Sequence, residues 1–432
     1  MSYPQITQIV LLIVLSWTSA SALVQQTSKG VDEQTHLGMI AAQANNLKEA
    51  ERHFAAAASL APTDPATRNN YGAILMRLGR TAEARSEFEA SLKLNPDQPS
   101  ALTNLAQIYF DRGQPDDLQR ARDLLERAAK ITSDPEISRA LVVTVLSLAR
   151  AQMNKDLHAA GRTLESAVAS GLDDAKIYAA LAEVYEADGH FENAIPAMRL
   201  AVQRDPQNEA YHFRYGLLLT DSHAPGAGIV RLKEALKQFP KSARLWLALG
   251  IAQLTYGQNT EAEASFKQSV ALDPKAVPAL AYLGVTYVER GLYDEAIRFY
   301  EQAIALSPQA ATLHYLAGDT MFRLPNSDTT RAEKYLKRAI ELDPNLAAAY
   351  LTWGKFYVRT NRYAEAAPLL ERAVALQPDL IEGHYQLSRV LMRLKRTDDA
   401  NRELAIFKTL SEKQKAQNEP REIARRLANV RF

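Results

Sequence analysis

Apolar side chains recur along this chain at spacings of three and four, in short blocks parted by turns. The pattern is plainest from Val277 to Ala310. The first block sets Leu280, Leu283, Tyr287 and Val288 on one side of a helix; the second sets Ala296, Ile297, Tyr300, Ile304 and Leu306 on one side of another. That periodicity predicts two amphipathic helices. Gly291 falls where the first must end in a left-handed cap, and Pro308 where the second must stop. Gly284 and Ala296 are small where the two helices have to cross.

The unit recurs. Its closing position falls at Pro62, Pro96, Ser133, Leu172, Pro206, Pro240, Pro274, Pro308, Pro344 and Pro378, mostly at steps of 34 residues. The eighth position reads Gly38, Gly72, Ala106, Val143, Ala182, Gly216, Gly250, Gly284, Gly318, Gly354 and Ser388, so only Val143 is bulky. The twentieth reads alanine throughout, from Ala50 to Ala400, except for Gly228. Eleven units in register predict stacked supersecondary pairs, which are stable only together.

Small residues at positions 8, 20 and 27, bulky ones at 4, 7, 11 and 24, and proline at 32 make the unit resemble the tetratricopeptide repeat. In the clearest copy these are Gly284, Ala296 and Ala303; Leu280, Leu283, Tyr287 and Tyr300; and Pro308. The resemblance implies an all-α fold, a right-handed superhelical solenoid of about eleven helix-turn-helix repeats spanning 31–410. Residues 411–432 are expected to form a polar linker, from Ser411 to Asn418, and a short amphipathic capping helix after Pro420, with Ile423, Leu427 and Val430 on one side. Three units are longer than the rest. The extra residues are expected to lengthen the turns at Gln114–Arg120, Arg150–Leu157 and Pro325–Arg331.

The first 22 residues differ from all that follow. Ile9 to Leu15 is wholly apolar, Ala20-Ser21-Ala22 is small, and no charge occurs before Lys29, so a cleaved export signal is expected, followed by a short lead-in at 23–30. The apolar run is shorter than the roughly 20 residues a spanning helix needs. The mature chain is then periplasmic or secreted, with no integral span after cleavage; retention at the membrane by an uncleaved signal is the lesser alternative.

Composition narrows the chemistry. Lys and Arg number 51 against 50 Asp and Glu, a formal net charge of +1, which offers no bulk attraction to nucleic acid. There is no cysteine, which removes disulfides, thiolate metal sites and cysteine nucleophiles. The eight histidines include no pair at metal-ligand spacing, and no phosphate loop or nucleophile elbow occurs. No catalytic residue, cofactor or metal is expected, and the repeats leave no stretch for a catalytic domain.

The resemblance further implies that first helices line a concave groove through positions 2, 5, 9, 12 and 13. Midway these include Lys176, Glu183 and Glu186, then Phe213, Leu217 and Asp221, then Arg244, Leu247, Ile251 and Leu254. Over the last three repeats they are Tyr315, Asp319, Phe322 and Arg323, then Lys355 and Arg359, then Tyr385, Arg389 and Arg393. Five cations and three aromatics on one surface suit a carboxylate or an acidic peptide; a merely solvated face is the alternative. From Ala311 onward 21 basic residues face 15 acidic ones, so the C-terminal third is basic while the preceding part is acidic, at 30 against 35.

The sequence thus points to an exported, non-catalytic scaffold or adaptor for protein or peptide partners, the alternative being a non-catalytic regulatory or targeting subunit of an envelope enzyme. Expressed in a bacterial host with an intact export pathway, the chain is expected to begin at Leu23 by N-terminal sequencing; recovery of Met1 on the mature protein contradicts the signal.

Overall fold

The structure, a computed structural model, describes residues 28–324 and 329–428, with side chains in the second stretch as far as residue 415. All regular structure among these residues is helical. The expected export signal and Pro325 to Asp328 of the third long turn lie outside the described residues. So do the side chains of Ile423, Leu427 and Val430.

The chain forms two compact units, Met1–Tyr211 and His212–Phe432. The first contains α1 (28–43), α2 (Leu47–Leu60), α3 (Pro65–Arg77), α4 (Thr81–Leu94), α5 (Pro99–Arg112), α6 (Pro115–Ile131), α7 (Pro135–Met153), α8 (Leu157–Ala169), α9 (Ala175–Ala187) and α10 (Phe191–Arg204). Helix α11 (Glu209–Asp221) carries the boundary. The second unit continues through α12 (Pro225–Gln238), α13 (Ala243–Tyr256), α14 (Asn259–Leu272), α15 (Val277–Glu289), α16 (Tyr293–Leu306), α17 (Ala311–Arg323), α18 (Thr329–Leu342), α19 (Ala347–Arg359), α20 (Tyr363–Leu376), α21 (Ile381–Arg393) and α22 (Thr397–Ala428). Within each unit, the first helices α3 to α9 and α13 to α21 pack on the second helix of their own repeat, and α2 to α8 and α12 to α20 pack on the next first helix. The result is a helical solenoid of paired units.

Local chemistry sets the helix ends. Asp64, Asp134, Asp156, Asp174 and Ser242 cap α3, α7, α8, α9 and α13 by accepting from free backbone N–H groups of the first turn. Gly291 has φ 73°, as the turn after α15 requires. The closing prolines also hold the next repeat. The Pro62, Pro240, Pro308 and Pro378 carbonyls accept from Arg68, Trp246, His314 and His384, each at the fourth position of the following first helix. Two of the eight histidines thereby have a structural role.

The crossing of the paired helices is the tightest packing in each repeat. All eleven residues at the twentieth position are buried, as are most at the eighth. A Cβ on Gly72 would stand 2.7 Å from the Phe88 ring, and one on Gly354 would stand 2.7 Å from Leu370. Both partners occupy the twenty-fourth position and are fully buried. Burying side chains of this size contributes about 1.5–3 kcal/mol each, provided that the backbone opposite is bare enough to admit them.

Three expectations need correction. The extra residues at Gln114–Arg120 and Arg150–Leu157 do not lengthen turns: α6 gains length at its start and α7 at its end, leaving Gly113-Gln114 and Asn154 to Asp156 as connections. Those stretches are rich in good helix formers, and a helix satisfies its own backbone where a loop would not. Val143 is 48% exposed and does not sit at the crossing; the buried set of α7, including Val142 and Thr144, runs one residue earlier than the motif register. The polar stretch from Ser411 is not a linker, because α22 runs unbroken from Thr397 to Ala428. Glu, Lys, Gln and Ala between Ser411 and Asn418 favour helix despite their polarity.

Substituting Gly354→Ala is expected to destabilise the fold by about 1–3 kcal/mol through overpacking against Leu370. The control Gly161→Ala, whose Cβ would meet Val184 at an ordinary 3.5 Å, is expected to be neutral or stabilising. Chemical denaturation of both variants checks the contrast.

Candidate partner-binding cleft

The first helices of the last three repeats are short, regular and close in space, so side chains at equivalent positions of α17, α19 and α21 converge. They form an open cleft of about 890 Å³. Seven of the nine residues singled out from the sequence line it: Asp319, Phe322, Arg323, Lys355, Arg359, Arg389 and Arg393. Tyr385 lines an adjoining pocket of about 350 Å³ that shares Arg389 and Arg393 with the cleft. Tyr315 lies half-buried against the core beneath.

The cations are not equivalent. Asp319 accepts from Arg323 Nε at 2.9 Å and from Thr352 Oγ1 at 3.1 Å, so Arg323 is neutralised within its own helix. Lys355 pairs with Glu382 at 3.4 Å, across successive first helices. Among the described residues Arg359, Arg389 and Arg393 have no carboxylate partner. Arg359 lies over the Phe356 ring at 5.6 Å and Arg389 over the Tyr385 ring at 5.6 Å. All three guanidinium groups are exposed, and their donors remain available for an incoming carboxylate.

The aromatics divide as sharply. Phe322 is buried and stacks on Phe356, with ring centroids 4.0 Å apart and planes within 8° of parallel. It belongs to the floor and offers no stacking face. Burial, and then the nearby Asp319 charge, push the Tyr315 phenol above its ordinary value, so it stays neutral. Only Tyr385 presents its ring to solvent.

Reading first-helix positions alone missed Tyr293 and Tyr363, which reach the same cleft from the first residues of α16 and α20. An aromatic at the seventeenth repeat position was the available signal. Asn361 also lines the cleft, and its side chain accepts from the Tyr363 hydroxyl at 2.7 Å. In the middle of the groove Arg244 stacks over Phe213 at 4.7 Å, which fills its apolar character internally. Among the described residues no cluster of three or more His, Asp or Glu could hold a metal ion, and no helix is long and apolar enough to cross a membrane.

Models of the tetratricopeptide repeat match residues 72–141, 175–208, 219–284, 323–379 and 358–406, and one described as TPR repeat matches 284–324. The chain belongs to the tetratricopeptide repeat family. No curated protein sequence matches it. Among solved structures, MamA is similar at 25% identity over 38% of this chain and 96% of that one, with a TM-score of 0.35. Yeast Tom70 is similar at 15% identity over 93% and 100%, with a TM-score of 0.45. YrrB, a TPR protein with an unusual peptide-binding site, is similar at 20% identity over 41% and 91%, with a TM-score of 0.34.

Proposed function

We propose that this chain is an exported, non-catalytic adaptor that holds an acidic segment of a protein partner in the cleft between α17, α19 and α21. The observation that carries the reading is the trio Arg359, Arg389 and Arg393, exposed and, among the described residues, without carboxylate partners, lining a cleft of about 890 Å³. Holding three like charges together is unfavourable unless solvent or a ligand screens them, and a peptide bearing two or three carboxylates does so with forked hydrogen bonds. The cleft is built on helices, so it is formed before the partner arrives and little ordering is required of the protein. The basic C-terminal third steers an acidic partner toward the same end, an effect that salt weakens.

The adjoining pocket adds selectivity. Tyr385, Met392 and Leu404 offer apolar surface beside Arg389 and Arg393, which suits an apolar side chain flanked by acids. Export accords with the apolar N-terminal run and the absence of cysteine. The role proposed is presentation of a rigid surface.

Fluorescence anisotropy with a labelled glutamate-rich peptide tests the cleft. The double variant Arg359→Glu/Arg393→Glu is expected to bind at least about tenfold more weakly, equivalent to about 1.4 kcal/mol, with unchanged helical content. Equal affinity in the variant, or binding by the native chain that ignores salt, contradicts the proposal.

A further inference from the structure

The two ends of the repeat stack carry complementary unfinished surfaces. Inside each unit, the first-helix residue at the tenth position of a repeat seats in a socket made by the repeat before it. Ile74 packs with Ala41, Ala50 and Phe54, and Ile108 packs with Leu75, Ala84 and Phe88. In both, the socket is built from the eleventh, twentieth and twenty-fourth positions. The residue at the tenth position is buried in every first helix from α3 to α21, whether it is Ile74, Thr286 or Val390. In α1 it is Ile40, and Ile40 is 49% exposed.

At the other end the socket exists without an occupant from the described chain. Its residues are Leu391 and Ala400, both buried within the last helix pair, and Leu404. The twenty-fourth position is buried in each of the ten earlier repeats, yet Leu404 is only half-buried. The pocket of about 350 Å³ opens over Ala400 and Leu404, and Met392 at its edge is 55% exposed. Helix α22 runs straight on to Ala428 instead of turning back over this surface.

Polar groups at the ends match in the same register. Lys355 at the ninth position of α19 pairs with Glu382 at the second position of α21. At the free ends the ninth position of the last repeat is Arg389 and the second position of the first repeat is Asp32, an opposite pair with the roles preserved. The overall charge asymmetry has the same sense, acidic before Ala311 and basic after it.

We infer that the C-terminal end of one molecule takes the N-terminal helix of a second copy. Helix α1 of the incoming copy docks on α21 and α22 as a further first helix, seating Ile40 against Leu404 and Met392 over the buried Ala400 and placing Asp32 opposite Arg389. The contact is heterologous, head to tail, so each added copy presents a fresh end and the assembly is open. Burial of matched apolar surface drives it, and the charge pairing sets its direction. The docked helix meets Leu404, Met392 and Arg389 of the pocket that adjoins the cleft, but Ile40 lines neither, so Ile40→Glu tests this inference without touching the acidic-segment reading.

Sedimentation velocity on the purified chain tests it. The native chain is expected to form species larger than dimers as concentration rises, more readily at low salt. Ile40→Glu blocks the head and Leu404→Glu blocks the tail, so each variant alone is expected to stay monomeric. Their equimolar mixture retains one good head and one good tail and is expected to stop at a dimer. Met392→Glu, at an exposed site that threatens no packing, repeats the tail test should Leu404→Glu fail to fold. A native chain that stays monomeric throughout its soluble range overturns the inference, as does assembly unaffected by these substitutions or a mixture that remains monomeric.

Discussion

In most repeats the side chain at the twenty-fourth position lies against the bare backbone of a small residue at the eighth. Phe88 against Gly72, Leu336 against Gly318 and Leu370 against Gly354 all approach closer than a Cβ would allow. That approach sets how near the two helices of a repeat can come, and therefore the spacing of the first helices within each unit. The cleft depends on it. Arg359, Arg389 and Arg393 converge because α19 and α21 are held at that spacing, and the end sockets exist because the same arrangement is repeated without a final occupant.

The fold was legible because its constraint acts on single positions at a fixed period. Only small residues fit the crossing, so the eighth and twentieth positions betray it in almost every copy. The constraint says nothing about where extra residues go. An insertion beside strong helix formers lengthens a helix, as in α6 and α7, and the motif register then slips by one, leaving Val143 exposed where a crossing residue was expected. Polarity from Ser411 to Asn418 was a poor guide for the same reason: propensity for helix and exposure to water are compatible, and α22 combines them.

The candidate site was legible in part. First-helix positions identified the cations, because the groove face follows from the period alone. They could not reveal which cations are already engaged. Asp319 and Glu382 take up Arg323 and Lys355, and that depends on side-chain reach between helices. Phe322 was equally ambiguous, since its position borders both groove and core, and its stacking on Phe356 decides for the core. Tyr293 and Tyr363 come from second helices and obey no first-helix rule. Regularity and function are thus separated along this chain: the most regular copy, Val277 to Ala310, contributes only Tyr293 to the cleft.

The central claim is that a bare eighth position is required by the side chain opposite, and a double-mutant cycle on Gly72 and Phe88 tests it most directly. Gly72→Ala in the native background is expected to cost about 1–3 kcal/mol by overpacking. With Phe88→Ala the same substitution is expected to become neutral or stabilising by up to about 1 kcal/mol, because alanine is the better helix former. Additive losses, with Gly72→Ala equally harmful whether or not Phe88 is present, would contradict the account.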